Sequence, residues 1–445
     1  MHQNYHLTMK EEVKLHVGKT PEGKKTGRQI YNDLGCPTKM LCPLVDHSEL
    51  AFRILMKKYG CELSYTPMLN AKLFSKDAKY RSRHFGPLDG THELDRPLIV
   101  QFCSNNVDEL IKSCEYVKDQ CDMIDLNLGC PQNIAKNGNY GSFLMENWSL
   151  ISELISKMHE HGLNNTCKIR IFPGMDKSLE YAQMCVDAGA EWLGVHGRLR
   201  EQRGQITGLA DLEYIKYINE KIKVKNNTDE KQVVISNGNL LYPGDIKRIL
   251  DYTKCDAVMS GEGCLYNPGL YNFDAEKDDV NTAEGLDKIK DKVFPRVDKI
   301  MKEYFDIVLS VKKESPASLQ SFKSHIFKLL RPFFEREIDL RNEFGPLNKI
   351  FEEDKYDFNT FIKKVEKRIE ESMDEFKDVI TFNEEDSNDE VKYFNVPFYR
   401  CQPYFRVIDG VKNNARYDIM KRDLEDKEGF LHSLKNKKQK IKDDY

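Results

Sequence analysis

One cysteine in this chain is set where a thiol could do chemistry. Cys130 falls in Asp125-Leu126-Asn127-Leu128-Gly129-Cys130-Pro131-Gln132, where a short apolar strand runs into a turn and then into the glycine-bearing loop Asn137-Gly138-Asn139-Tyr140-Gly141. Glycine permits a sharp approach before the sulfur and proline fixes φ directly after it, so the thiol stands on stiff backbone just past the carboxyl end of a strand. With an ordinary pKa of about 8.5, such a thiol is mostly protonated at neutral pH and can donate that proton. Lys168 is the next informative residue. It lies on another apolar strand, and a buried cation needs a negative partner. His196 closes a further strand, and Asn237-Gly238-Asn239 and Ser260-Gly261-Glu262-Gly263 follow the last two. No carboxylate pair or Ser-His-Asp set stands out, so hydrolysis is not suggested. None of the twelve cysteines forms a Cys-x-x-Cys pair. That argues against zinc ribbons, iron–sulfur runs and thioredoxin motifs, and no metal site is expected.

The elements that must carry these residues follow a strand–helix rhythm from about residue 38. Met40–Val45, Leu63–Met68, Leu98–Phe102, Met123–Leu128, Thr166–Phe172, Trp192–His196, Val233–Ser236 and Ala257–Met259 read as strands. Helical spacing separates them, as in Glu49–Tyr59, Val107–Val117 and Trp148–His159, although a polar loop is expected after the second strand through Arg83. Continuous apolar runs mean strands buried on both faces. Eight of them over about 230 residues fit a (β/α)8 TIM barrel better than an open sheet. No Gly-x-Gly-x-x-Gly follows the first strand, against a Rossmann domain. After about residue 280, Ile289–Val311, Ser318–Phe334 and Tyr356–Met373 read as long amphipathic helices. The expected organisation is thus a basic N-terminal extension (1–37), a barrel (38–275) and a smaller C-terminal all-α helical domain (285–378). The stretch 379–445 supplies an acidic linker at Glu384–Glu390, an aromatic segment from Val396 that packs back, and a charged tail from Asn413.

Barrels of this kind carry their active site at the carboxyl ends of the strands, with phosphates often bound by the loops after strands seven and eight. Gln101, Asn127, Cys130, Lys168, Arg170, His196, Arg198 and the two glycine loops all map to that rim, and a phosphorylated cofactor is expected there. Residues 1–37 are rich in lysine and read as a frayed, solvated arm, with RNA contact as the alternative. No run of about 18 apolar residues occurs, so no membrane span is expected. The polar first ten residues lack a signal-peptide core, and the chain is expected in the cytoplasm or nucleus, with organelle import left open. The net charge of −4 means that nucleic-acid binding must come from a local basic patch.

The Cys130 stretch and its Tyr140-Gly141-Ser142-Phe143-Leu144 sequel resemble the active-site segment of the tRNA-dihydrouridine synthases, Asn-x-Gly-Cys-Pro followed by Gly-x-Tyr-Gly-Ala-x-Leu. Pro43–Leu50, Tyr65–Leu69, Arg96–Cys103, Val195–Arg198 and Cys401–Tyr404 resemble the eukaryotic branch that acts on tRNA positions 16 and 17. The resemblance implies FMN held by Pro43, Leu44, Val45, Gln101, Lys168, His196, Asn237, Gly238, Asn239, Gly261 and Glu262, with NADPH or NADH as reductant. It implies hydride transfer from flavin N5 to uracil C6 and a proton from Cys130 to C5, with Asn127 at the uracil edge and Arg170 and Arg198 as further substrate contacts. It also implies a monomer whose helical domain meets tRNA through Lys323, His325, Lys328 and Arg331. Many relatives carry arginine where Glu262 stands, and alanine where Ser142 stands. The competing readings are a flavin barrel acting on a free pyrimidine or enone, and a non-catalytic tRNA-binding protein.

Overall fold

A computed structural model describes residues 14–224, 230–347, 350–351, 357–383, 393–405, 407–408 and 411–412. Eight parallel strands close on themselves: β1 (Lys39–Leu41), β2 (Leu63–Tyr65), β3 (Leu98–Cys103), β4 (Met123–Leu128), β5 (Asn165–Arg170), β6 (Trp192–His196), β7 (Val233–Asn237) and β8 (Ala257–Ser260). β1 pairs with both β2 and β8, and β2 with β3, so the cylinder has no open edge. The expected (β/α)8 barrel is therefore present, with a helical region after it. The strands are buried on both faces, as their continuous apolar runs require: all six positions are covered in each of β3, β4 and β5.

Alternation along each strand divides the side chains. Leu41, Val100, Leu126, Ile169, Val195 and Val234 face the surrounding helices. Met40, Leu63, Ile99, Met123, Trp192, Val233 and Ala257 fill the interior near the amino ends of the strands. That floor is sealed by a segment expected to fray. Thr26 and Gln29 form a capping box for helix Gly27–Asp33, which sends Ile30 and Tyr31 into the interior cluster. Lys24 pairs with Glu191 at 2.9 Å with both side chains covered, and Arg28 pairs with Asp256 at 2.7 Å. Residues 14–37 are thus a plug rather than a free arm, and these two cations are not available to RNA. Lys10 lies outside the described residues, as do the Glu384–Glu390 linker and the tail from Asn413.

The polar loop expected after β2 holds two short helices, Ala71–Lys76 and Ala78–His84. Asn70 accepts from the Leu73 N–H, and Asp77 from those of Lys79 and Tyr80, so each turn starts on its own cap. The long helices expected beyond residue 280 are broken by proline. Lys290–Val293 and Val297–Val311 are separated by Phe294-Pro295-Arg296, with Phe294 turned out of the helical region (φ −136°, ψ 65°) before Pro295. Pro316–Leu329 gives way at Leu330 to Arg331–Arg336, where Pro332 sits in the first turn. Phe358–Glu375, capped by Asp357, completes this region together with Ile338–Phe344, which the sequence reading missed.

The helical region is bolted to the barrel by buried polar groups. Glu49 caps helix Leu50–Lys58 through the Phe52 N–H (3.1 Å), while Tyr304 donates to its Oε1 at 2.6 Å and His325 meets its Oε2 at 3.1 Å. Burial pushes the Glu49 carboxyl up, but His325 and the two hydrogen bonds outweigh this and hold it below the usual range. The aromatic segment from Val396 does fold back. Arg400 holds Asp378 through two bonds of 2.6 and 2.7 Å, and Asp291 at 2.8 Å. Its neighbour Cys401 donates its N–H to the Pro295 carbonyl at 2.9 Å.

Candidate functional site

The interior changes character on going up each strand. Two to four residues beyond the apolar floor, the same inward register presents Gln101 on β3, Asp125 and Asn127 on β4, Lys168 and Arg170 on β5, His196 on β6 and Asn237 on β7. All of these but Asp125, which lies beneath, join the loops after β1, β7 and β8 around a cavity of about 270 Å³ at the carboxyl ends of the strands. Its wall includes Pro43, Leu44, Val45, Gln101, Asn127, Cys130, Lys168, Arg170, His196, Arg198, Asn237, Gly238, Asn239, Gly261 and Glu262. Every residue expected to hold the cofactor is there, with Cys130 and three of the expected substrate contacts.

Cys130 is half-buried, and its loop is held from both sides. The Asn127 Oδ1 accepts from the N–H groups of Gly129 (3.2 Å) and Cys130 (2.9 Å). The Cys130 carbonyl accepts from the Ser142 N–H at 3.1 Å and from its hydroxyl at 2.9 Å. Burial pushes the thiol up, more than the nearby Arg170 and Lys168 pull it down, so the sulfur keeps its proton at neutral pH. Lys168 is 7% exposed and makes no hydrogen bond or ion pair with the described residues. Its stem crosses the interior where β6 has no side chain: a Cβ on Gly194 would stand 3.3 Å from the Lys168 Cγ. Burial pulls the ammonium down, with Cys42 and Asp125 opposing.

His196 is neutral. Burial, followed by Arg170, Lys168 and Arg198, drives its imidazole well below the ordinary value. Arg198 Nη1 lies 3.0 Å from its Nε2, and because a guanidinium can only donate, Nε2 accepts and the ring's own proton sits on Nδ1. Asn237 donates to the Met259 carbonyl at 2.9 Å, and its buried Oδ1 has no partner among the described residues.

Some expected contacts have other duties. Arg170 donates from Nε to the Gly129 carbonyl (2.8 Å) and from Nη1 to those of Leu199 (2.6 Å) and Gln202 (3.0 Å), so it braces the Cys130 turn against the loop after β6 while also lining the cavity. Asn127 has both ends engaged, since its Nδ2 donates to the Gln101 Oε1 at 2.8 Å. His325 is no RNA contact: it is fully buried, stacked on Phe52 at 4.2 Å and bonded to Glu49. Its position on an amphipathic helix allowed either face, and the apolar one took it. Arg331 lies over the Tyr404 ring at 4.0 Å and shares its charge with Glu335. Lys323 donates to the Gly345 carbonyl, and Lys328 donates to His47 Nε2 and to the Ser324 hydroxyl at 2.8 Å each. Lys328 stands near the cavity mouth, where Glu262 opposes the downward pull of burial on its ammonium.

Two residues that matter were not singled out from sequence. Asp125 is fully buried beneath the cavity, and burial pushes its carboxyl up to about 7. Its inward position was readable, since it precedes Asn127 by two on one strand, but its partner Gln101 lies on a neighbouring strand. Met68 lines the cavity from the stretch after β2, and nothing in its local sequence separates it from a core methionine.

Among the described residues, no helix is long and apolar enough to cross a membrane, and no group of three His, Cys, Asp or Glu residues could hold a metal. A family described as "Dihydrouridine synthase (Dus)" matches residues 40–367. A Saccharomyces cerevisiae protein named tRNA-dihydrouridine(16/17) synthase [NAD(P)(+)] is 46% identical over 422 residues, covering 94% of this chain and 93% of that one. A Schizosaccharomyces pombe protein of the same name is 40% identical, covering 87% and 92% of the two chains. A mouse protein named as like these is 35% identical over 92% of this chain and 76% of its own.

Proposed function

We infer the reaction from one premise: this chain belongs to the dihydrouridine synthase family. It is an NAD(P)H- and FMN-dependent tRNA-dihydrouridine(16/17) synthase, reducing uridine to 5,6-dihydrouridine in the D-loop of tRNA. The observation that carries this reading is that the protonated Cys130 thiol stands on the wall of the same cavity as Lys168, His196 and both glycine loops.

The residues present fit FMN. Lys168 brings a cation with no partner among the described residues and Asn237 a buried oxygen with none, so each has a bond left for a polar ring edge. His196 adds the Nδ1–H as its remaining donor. The loops at 237–239 and 260–263 offer backbone N–H groups suited to a phosphate. FMN, when bound, supplies the hydride for uracil C6, with NADPH or NADH as the source of electrons.

The chain's own residues do the rest. The C4 carbonyl polarises the C5–C6 bond of uracil, so once C6 has gained hydride, C5 needs a proton. Cys130 holds one, and burial keeps it on the sulfur until it is taken. Arg170 and Ser142 fix the turn that aims it. A uracil stacked in folded tRNA cannot reach the cavity, so the nucleotide must be turned out of its stack. Lys323 and Lys328, on the helix beside the mouth, support phosphate contact there.

All twelve cysteines are free thiols, in keeping with a reducing compartment, for which the cytoplasm or nucleus is proposed with an organelle left open. The test is incubation with unmodified tRNA and either nicotinamide, followed by mass spectrometry of the digested RNA. Dihydrouridine at positions 16 and 17, with none from free uridine, is expected. Equal reduction of free uridine or an enone would replace the reading with a small-molecule reductase, and bound flavin without any product would replace it with an RNA-binding role.

A further inference from the structure

We propose that Asp125 is a positioning residue that fixes which way the Asn127 amide faces and so holds the Cys130 turn in place. The warrant is the direction of three linked hydrogen bonds. The Gln101 Nε2 donates to Asp125 Oδ2 at 2.8 Å, and that oxygen accepts whether the carboxyl is ionised or holds a proton on Oδ1, so the Gln101 NH₂ faces Asp125. That turns the Gln101 Oε1 toward Asn127, whose Nδ2 donates to it at 2.8 Å. Asn127 is then left with its Oδ1 toward the turn, where it accepts from the Gly129 and Cys130 N–H groups. Two amides in the middle of this relay could each be reversed, and only its ends give it a sense. At one end stand backbone donors that need an acceptor, at the other a carboxyl oxygen that accepts.

Asp125 and Gln101 are fully buried and Asn127 is 7% exposed at the cavity wall, so a reversed amide leaves buried polar groups short of partners. The route runs between strands paired in register, Gln101 opposite Asp125. Asp125→Asn keeps shape and hydrogen-bonding capacity but removes the fixed sense. The new amide can donate to Gln101, which then donates to Asn127, which turns its own NH₂ onto two backbone N–H groups that need an acceptor. The turn carrying the thiol loses both anchors on that side.

The catalytic consequence rests on Cys130 being the proton donor, but the positional claim does not, and the experiment separates them. Hydrogen–deuterium exchange of the full-length, flavin-loaded protein is followed on the peptide spanning Leu128–Pro131, in the native chain, in D125N and in D125N/Q101E. The double variant moves the carboxylate one step along. The amide now at position 125 donates to the carboxylate now at position 101, which accepts from Asn127, and the native sense returns. The expected result is at least tenfold faster exchange of the Gly129 and Cys130 amides in D125N, with β6 unchanged, and return to within threefold of native in D125N/Q101E. Native-like protection in D125N, or a double variant as unprotected as the single one, overturns the proposal. Should D125N not accumulate, the double variant decides alone: protected amides support the relay and unprotected ones refute it. Single-turnover dihydrouridine formation in D125N, expected to fall with the KM for tRNA retained, reads the consequence for the thiol. An unchanged rate beside deprotected amides would count against Cys130 as donor while leaving the relay intact.

Discussion

Gly141→Ala strikes the cysteine turn from outside without removing any group that touches substrate. Gly141 has φ +63°, and a Cβ there would lie 2.9 Å from the Cys130 carbonyl oxygen, 3.1 Å from its Cβ and 3.2 Å from the Asn127 Oδ1. The left-handed backbone costs an alanine roughly 1–2 kcal/mol. Relieving the contacts means moving the Cys130 carbonyl away from the Ser142 N–H and the Cys130 N–H away from Asn127, at about 1 kcal/mol for each bond. The sum is about 3–4 kcal/mol, and a rigid turn that must be restored for proton transfer passes all of it to the barrier. That is a loss of roughly 10²–10³-fold in the proton-donating step. Single-turnover conversion of unmodified tRNA, quenched and read by mass spectrometry, measures that step. The flavin absorbance of the purified variant and its bleaching by NADPH measure everything that precedes it, and both are expected to stay native. Conversion within about threefold of native would refute the reasoning, because the strain would then have been absorbed without disturbing the thiol. Loss of bound flavin would equally refute it, since Gly141 is not on the cavity wall.

Three further outcomes follow. Because burial raises the Cys130 thiol and so favours its protonated form, the single-turnover rate stays level between about pH 6 and 8 and falls only as pH rises through the raised value; because His196 is driven well below its ordinary value, no break occurs near about 6.5. Ser142→Ala removes one of two bonds to the Cys130 carbonyl and leaves the N–H bond, so the same rate drops by about fivefold or less, in keeping with about 1 kcal/mol for a single hydrogen bond. Lys323→Ala weakens tRNA binding in gel-shift or fluorescence titrations and lowers the slope of log affinity against log salt by about 1, with NADPH consumption in the absence of RNA unchanged.

The barrel was legible because its strands are short, continuous and apolar, and the rim was legible because polar residues follow each of them at the same end. Gln101, Lys168, His196 and Asn237 could be assigned to one mouth by strand order alone. What each does there could not. Arg170 and Arg198 do line the cavity, but their structural bonds were not readable: Arg170 donates to three carbonyls, two of them on the folded loop after β6, and Arg198 sets the His196 tautomer. Local spacing does not encode such tertiary partners. His325 was misread for a related reason: its helix has cationic neighbours at positions 323 and 328, but helical rotation turns it inward onto Phe52 and Glu49. The basic composition of residues 14–37 hid a plug, because the acids that pair with Lys24 and Arg28 stand at the amino ends of strands far along the chain. Proline punctuation at 295 and 332 was visible and was outweighed by the helical period on either side of it.

The central claim is that the Cys130 sulfur delivers the proton that completes uracil reduction. Its most direct test is Cys130→Ala with flavin bound and reduced, mixed with unmodified tRNA and read for dihydrouridine over a single turnover. The account predicts normal flavin content, normal reduction by NADPH and no product on the timescale of the native enzyme. Product at the native rate would contradict it, and would assign the proton to another group on the cavity wall or to water.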